Sequence, residues 1–168
     1  MKRIIYLLAL SFSITSIIAQ ENNTLMFDSL NISDKSLTQT ENSFISLFGN
    51  PDSTSNYINE INNETWINLK YSENSFYFHE DKLVSFDLKN DSFYFYNSSI
   101  KVGADLSGIN NYFQNSYMNR EVINSLGFII IDVLMNDGSQ SDSFIVINYN
   151  PINNIINSLN GARKLSTT

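Results

Sequence analysis

Cysteine is absent from this 168-residue chain, and proline occurs only twice. Without cysteine there is no disulfide, no thiolate metal site, no cysteine nucleophile and no lipid-attachment cysteine. The fold must therefore rest on its apolar core. Hydrophobic residues make up 42% of the chain, which is too many for a disordered protein.

Positive charge is also scarce. Ten Lys and Arg stand against seventeen Asp and Glu, for a net charge of −7. Two of the ten, Lys2 and Arg3, belong to the leading segment, and without them the net charge is near −9. An acidic chain with no basic cluster is not expected to bind nucleic acid or an anionic membrane surface.

The one long hydrophobic run stands at the start, in "MKRIIYLLALSFSITSIIAQEN". A basic beginning, an apolar centre over residues 4–14 and a small-residue exit at Ala19 are typical of a cleaved signal peptide. A membrane-spanning helix needs about 20 apolar residues, and serines and a threonine interrupt this run. We predict a signal peptide over 1–19 and a periplasmic or secreted product with no stable membrane insertion.

Few residues of the chain are arranged in a recognisable catalytic motif. The sole histidine is His79, in "FHEDK", and with Glu80 and Asp81 it is a candidate metal site or general base. Consecutive residues on a strand point to opposite faces, so these three converge poorly on one ion. No Gly-x-Ser-x-Gly elbow occurs. We predict no enzyme activity, no metal and no cofactor. The alternative is a glycan hydrolase that uses surface carboxylates, with Asp132 paired to Asp137 or Asp142.

Hydrophobic periodicity predicts a first α+β unit over 36–97, after a flexible arm at 20–35 with one edge strand near 25–27. A helix is expected next, because Ser36-x-x-Gln39 and Thr38-x-x-Glu41 both fit a capping box, and Gly49 and Pro51 end it. A polar loop (52–63) follows. The segments "TWINLKYS", "NSFYFHE" and "KLVSFDL" then alternate with period two, which predicts an antiparallel meander. "SFYFYN" (92–97) is predicted as a fourth short strand.

The same order of elements recurs over 98–160. Asp105 is a candidate N-cap, and helical spacing links Leu106, Ile109 and Phe113. "GFIIIDVLMNDG" and "SFIVINY" read as strands, whereas "PINNIINSL" (151–159) fits either a strand or a helix. The predicted fold class is α+β: two tandem helix-plus-antiparallel-meander units forming one sheet with helices on one face, and a tail at 161–168.

These motifs resemble the repeat of the β-lactamase-inhibitor-protein fold, which the small lipoprotein of the outer-membrane barrel-assembly machinery also carries, and uncharacterised secreted bacterial proteins. The matching positions in the first unit are Gly49, Pro51, Trp66, Tyr71 and Phe78, and in the second unit Lys101, Val102, Gly103 and Asp105. The resemblance implies a sheet with helices on one side and an open face that grips another protein.

Aromatic residues supply the binding hypothesis. Trp66, Tyr77 and Tyr94 alternate with predicted core positions, and with Lys70 and His79 they form the predicted binding site on the open sheet face. Rings with polar tips suit recognition. The alternative is that they cover the sheet edge or contact the arm. We therefore predict an exported, non-enzymatic protein-binding module, of which an inhibitor or immunity-type factor is one form. Its partner would be another envelope or secreted protein.

Overall fold

A computed structural model describes residues 24–26, 29–60, 63–135, 138 and 140–162. The predicted signal peptide and residues 163–168 lie outside this set. The strands are β1 (Thr24–Met26), β2 (Asn31–Ile32), β3 (Lys35–Ser36), β4 (Ser53–Asn59), β5 (Glu64–Tyr71), β6 (Asn74–His79), β7 (Lys82–Leu88), β8 (Glu121–Ile123), β9 (Leu126–Leu134), β10 (Gln140–Asn150) and β11 (Ile155–Ala162). The helices are α1 (Glu41–Phe48), α2 (Ser107–Tyr112) and α3 (Gln114–Met118).

One large sheet organises the chain, and the predicted α+β class is confirmed at that level. Its nine strands run in the order β1-β9-β10-β11-β7-β6-β5-β4, and β8 pairs with β9. All of these pairs are antiparallel except β1 with β9. The strands of the first half join those of the second through β7 and β11, from Leu88 opposite Leu159 to Ser85 opposite Ala162.

The core lies on the face of the sheet that the helices cover. Thr40 caps α1 by accepting a hydrogen bond from the Ser43 amide at 3.2 Å. From α1 the Phe44 ring reaches the rings of Phe76 at 4.6 Å and Phe78 at 5.5 Å. Ile109 and Phe113, from α2 and the residue after it, enter the same hydrophobic cluster. No helix in the described part of the chain is long and apolar enough to span a membrane.

The start of the chain differs in part from prediction. The edge strand expected near 25–27 is present as β1, at the sheet edge. The rest of the arm is not loose, because it makes the β2–β3 hairpin, and Leu25, Leu30 and Ile32 are buried. The helix begins at Glu41 with Thr40 as its N-cap, later than either predicted capping box, and Ser36 pairs with Asn31 instead. The predicted loop at 52–63 is wrong as well: β4 pairs in continuous register with β5. An edge strand whose two sides both face water does not need alternating apolar residues, so the sequence of β4 reads as a loop.

Two further predictions are corrected. Residues 92–97 form no strand apart from a single bridge from Phe95 to Ile32, because β7 already has β6 and β11 as neighbours and has no edge left to offer. The second helix begins after Leu106 and is interrupted at Phe113, while the Asp105 carboxylate accepts a hydrogen bond from the Ser107 amide at 2.8 Å. The open question at 151–159 resolves into a turn followed by β11, which pairs on both of its edges.

Candidate binding face

Four of the five predicted site residues lie on the sheet face that points away from the core, here called the open face. Trp66 and Lys70 alternate along β5 with Ile67 and the buried Leu69, and Tyr77 lies between two buried phenylalanines of β6. His79 follows Tyr77 by two residues and so shares its side. The predicted placement holds because period-two alternation tells the covered side of a strand from the uncovered one.

Three rings meet at one end of the open face, on neighbouring strands. Tyr57 of β4 lies directly opposite Trp66, with ring centroids 5.9 Å apart. Tyr77 of β6 completes this three-ring cluster, at 5.1 Å from Tyr57 and 6.4 Å from Trp66. Sequence reasoning missed Tyr57, because the segment around it reads as a polar loop. The one available signal was the Tyr57-Ile58 pair inside it.

Glu64 orients the tryptophan. Its Oε2 accepts a hydrogen bond from the Trp66 indole Nε1 at 3.0 Å and lies 3.9 Å from His79 Nε2. The other ring nitrogen of His79, Nδ1, lies 3.3 Å from the Thr65 carbonyl oxygen. The hydrogen bond from Trp66 to Glu64 limits how the indole can turn, so the indole face is presented in one orientation. Nothing in the sequence pattern singled out Glu64.

His79 and its acidic neighbours diverge, as the strand geometry predicts. His79 faces Glu64, whereas the Asp81 carboxylate accepts a hydrogen bond from the Glu41 amide at the start of α1, at 2.9 Å. Glu80 and Asp81 both have positive φ and form the tight β6–β7 turn. Within the described residues, no group of three or more His, Asp or Glu side chains is placed to hold a metal ion.

Tyr94 is not on the open face. It lies in the loop after β7, where its hydroxyl donates to the Asp34 carboxylate at 2.5 Å and its amide donates to Ser33 at 3.4 Å. The hydrogen bond to Asp34 is the main cause that raises the pKa of the Tyr94 hydroxyl. The predicted grouping with Trp66 and Tyr77 is wrong because the alternation in 92–97 does not belong to a paired strand.

The remainder of the open face changes character across the sheet. Its centre is polar: the Ser85 hydroxyl donates to the Gly161 carbonyl, and Asn148 donates to the Ser158 hydroxyl, both at 2.8 Å. Beyond this centre, Ile130 and Phe144 are exposed.

A groove of about 490 Å³ adjoins this end, beside α3. It is lined by Asn115, Ser116, Asn119, Glu121, Phe128, Ile130 and Asp132. Asp132, which the hydrolase alternative uses, thus lies here with Glu121. Of its two suggested partners, Asp137 is outside the described residues, and Asp142 lies on β10.

No protein-family model matches the chain, and no curated protein matches it either. A solved structure with some likeness is an extracellular protein containing an SCP domain from Bacillus anthracis, at 7% sequence identity and a TM-score of 0.44. The alignment covers 76% of the present chain and 44% of that protein, so the chain spans less than half of its length.

Proposed function

We propose that this chain is an exported, non-enzymatic module that binds another protein through the open face of its sheet. The observation that carries the proposal is the three-ring cluster of Tyr57, Trp66 and Tyr77. Large apolar side chains gain most by being buried, and this chain keeps three rings on the side that α1 and α2 leave uncovered.

The cluster has the properties of a protein-binding hot spot. Tyr57 is 45% exposed, and Trp66 and Tyr77 are half-buried by each other and by their neighbours. Tyr and Trp lose little conformational entropy on binding and carry polar tips, which is why they dominate recognition surfaces. The hydrogen bond from Trp66 to Glu64 lowers that cost further by fixing the indole before a partner arrives.

The proposed architecture is a tandem pair of units over 36–97 and 98–160. In chain order, α1 precedes β4, β5, β6 and β7, and the helical pair α2–α3 precedes β8, β9, β10 and β11. Each set ends at the centre of the sheet, with β7 beside β11. This order supports a duplication in which the last strands of both units pair. It would give a long open face, suited to a partner as large as a folded envelope or secreted protein.

The non-enzymatic part of the proposal is supported by the contacts that the candidate catalytic side chains make within the fold. His79 lies beside Glu64 at the indole, and Asp81 is directed at the start of α1. A glycan hydrolase would instead depend on Asp132. The two hypotheses differ in one measurement: hydrolysis of envelope glycan by the purified protein that is lost in Asp132→Asn would overturn the binding proposal.

The cluster is tested by replacing its rings. We expect Trp66→Ala and Tyr77→Ala each to reduce capture of the partner from envelope and extracellular fractions of the source cells, by about tenfold or more for a hot-spot ring. The melting temperature should change little, because these rings are outside the core. Tyr112→Ala, an exposed tyrosine on α2, is the matched control and should leave capture intact.

Two outcomes would contradict the proposal. Full capture by both ring variants would show that the cluster is not the binding surface. A steep fall in melting temperature in the ring variants, with Tyr112→Ala unaffected, would show that the rings stabilise the sheet itself.

A further inference from the structure

The outer edge of β4 is long and regular. β4 spans seven residues and pairs with β5 from Ser53 opposite Lys70 to Asn59 opposite Glu64, without a register shift. No other strand among the described residues pairs with β4. Every second residue of such a strand directs its backbone N–H and C=O outward, where another strand can pair with them.

Common devices that protect sheet edges are missing from β4. Its sequence, "STSNYIN", contains no charged residue and no proline, and it has no bulge. The opposite edge of the sheet is treated differently. There β9 is flanked by two strands of only three residues each, β8 and β1. One edge is thus shortened, whereas the other is left long and neutral.

Charge disfavours a second copy of the chain. Asp52 and Glu60 flank β4, and both are exposed. In an antiparallel pair of two β4 strands centred on Asn56, Asp52 of one copy would lie opposite Glu60 of the other, which is a like-charge contact at each end. The Asp52 carboxylate also accepts a hydrogen bond from the Ser72 amide. Its negative charge and that of Glu60 favour an incoming strand with a basic residue at each end.

We propose that the outer edge of β4 takes up an extended segment of the partner as an additional strand, with a neutral centre and basic ends. This inference rests on the proposed function in that the partner is a protein, and it names the part of the partner that is bound. Main-chain hydrogen bonds would give affinity, and alternate side chains would give specificity.

The side chains next to the edge fit this role on both faces. Tyr57 is directed to the open face, inside the three-ring cluster, and Ile58, 62% exposed, is directed to the opposite side. An added strand would therefore meet an apolar contact on each of its two faces. On the open face its side chains would lie beside the ring of Tyr57.

A designed peptide tests the edge directly. The probe has one residue for each position from Asp52 to Glu60, alternates valine and threonine, and ends in lysines. Because Trp66 is the chain's one tryptophan, its emission reports binding near β4. We expect saturable binding below about 1 mM, together with slower amide hydrogen exchange in β4. A peptide methylated at every second backbone nitrogen, and one that ends in glutamates, should bind at least about tenfold more weakly.

Two proline variants distinguish loss of pairing at the outer edge of β4 from loss of the β4–β5 pairing. In Ser55→Pro and Asn56→Pro, one change removes an outward N–H and the other removes an N–H bonded to β5. We expect one of them to keep the wild-type melting temperature and to lose peptide binding. If both unfold, the comparison of the plain and methylated peptides on the wild-type protein decides.

The outcomes distinguish this inference from the proposed function. If the designed peptide does not bind saturably, or if the methylated peptide binds equally well, the inference that the β4 edge pairs with an added strand is wrong. If the ring variants lose the native partner but the folded proline variant keeps it, the open face remains the proposed binding surface and the inference about the β4 edge is wrong. A wild-type dimer in sedimentation that the folded proline variant abolishes would assign the edge to a second copy, and would likewise overturn the inference.

Discussion

At the scale of single residues, two glycines are explained by the rings beside them. Gly127 lies opposite Tyr149, and Gly161 lies opposite Phe86. A Cβ built on Gly127 would come within 2.3 Å of the Tyr149 ring, and one on Gly161 within 2.2 Å of the Phe86 ring. In both pairs the aromatic ring lies over the bare backbone of the neighbouring strand. Glycine weakens a strand interior, but here its small size lets the ring pack.

Gly161→Ala should therefore destabilise the fold. The added methyl group overpacks the site by pressing into Phe86, which typically costs about 1–3 kcal/mol in the free energy of unfolding. Denaturant unfolding measures the loss. In a Phe86→Leu background the same glycine change should cost clearly less, and the difference is the coupling energy of the pair. Equal costs in both backgrounds would mean that the ring is not what requires glycine at 161.

At the scale of elements, alternation in the sequence reports burial and not pairing. It places the side chains of β5 and β6 correctly because those strands have one covered and one uncovered face. It fails at 92–97, where Phe93 and Phe95 are buried but the backbone lacks a strand edge to join. There Phe93 serves as a core residue, 5.0 Å from the Phe76 ring. Alternation also fails at β4, whose side chains are exposed on both sides.

The same limit applies to the candidate site. Trp66, Tyr77, Lys70 and His79 are predictable because they occupy the uncovered positions of well-patterned strands. Tyr57 and Glu64 are not, because their roles arise from contacts with β5 and β6 that the chain makes only once it is folded. A pattern within one segment contains no information about which residues of the next strand will lie beside it.

The contact between the end of α1 and β5 predicts that the protein loses stability at alkaline pH. The Tyr71 hydroxyl donates to the Gly49 carbonyl at 2.8 Å, and burial first and Asp52 second raise the pKa of Tyr71 above its usual 10.0. A raised pKa means that the folded state holds this proton more tightly, so stability is intact below pH 10.0 and falls as pH rises through the folded pKa. The measurement is the free energy of unfolding against pH.

Tyr71→Phe should then cost about 0.5–1.5 kcal/mol at neutral pH, the usual worth of one hydrogen bond, and should lessen the alkaline loss. Tyr94 and the Asp87–Lys89 pair, where Lys89 also has a raised pKa, add to the same loss. The test is therefore the difference between the variant and the wild type. An unchanged alkaline slope would mean that Tyr71 titrates alike in the folded and unfolded states.

At the scale of the whole molecule, the two proposed units depend on each other although the sheet joins them through a short junction. β7 and β11 share four residue pairs, from Leu88 with Leu159 to Ser85 with Ala162. The core does not stop there. Phe44 of the first half and Phe113 of the second belong to one cluster of buried side chains. Units that share a core in this way unfold together, because neither can keep its apolar face covered alone.

Trp66 provides a direct test of whether the two halves unfold together. It is the chain's one tryptophan, and it lies in the first half, far along the sheet from β9. Gly127→Ala would overpack the Tyr149 contact in the second half, again for about 1–3 kcal/mol. We expect the midpoint of Trp66 fluorescence in denaturant to fall with the midpoint of far-ultraviolet circular dichroism, by the same amount. A fluorescence midpoint that stays at the wild-type value while the dichroism midpoint falls would mean that the halves fold independently. In that case the open face would be two surfaces joined by a hinge, and a rigid partner could not bind across both.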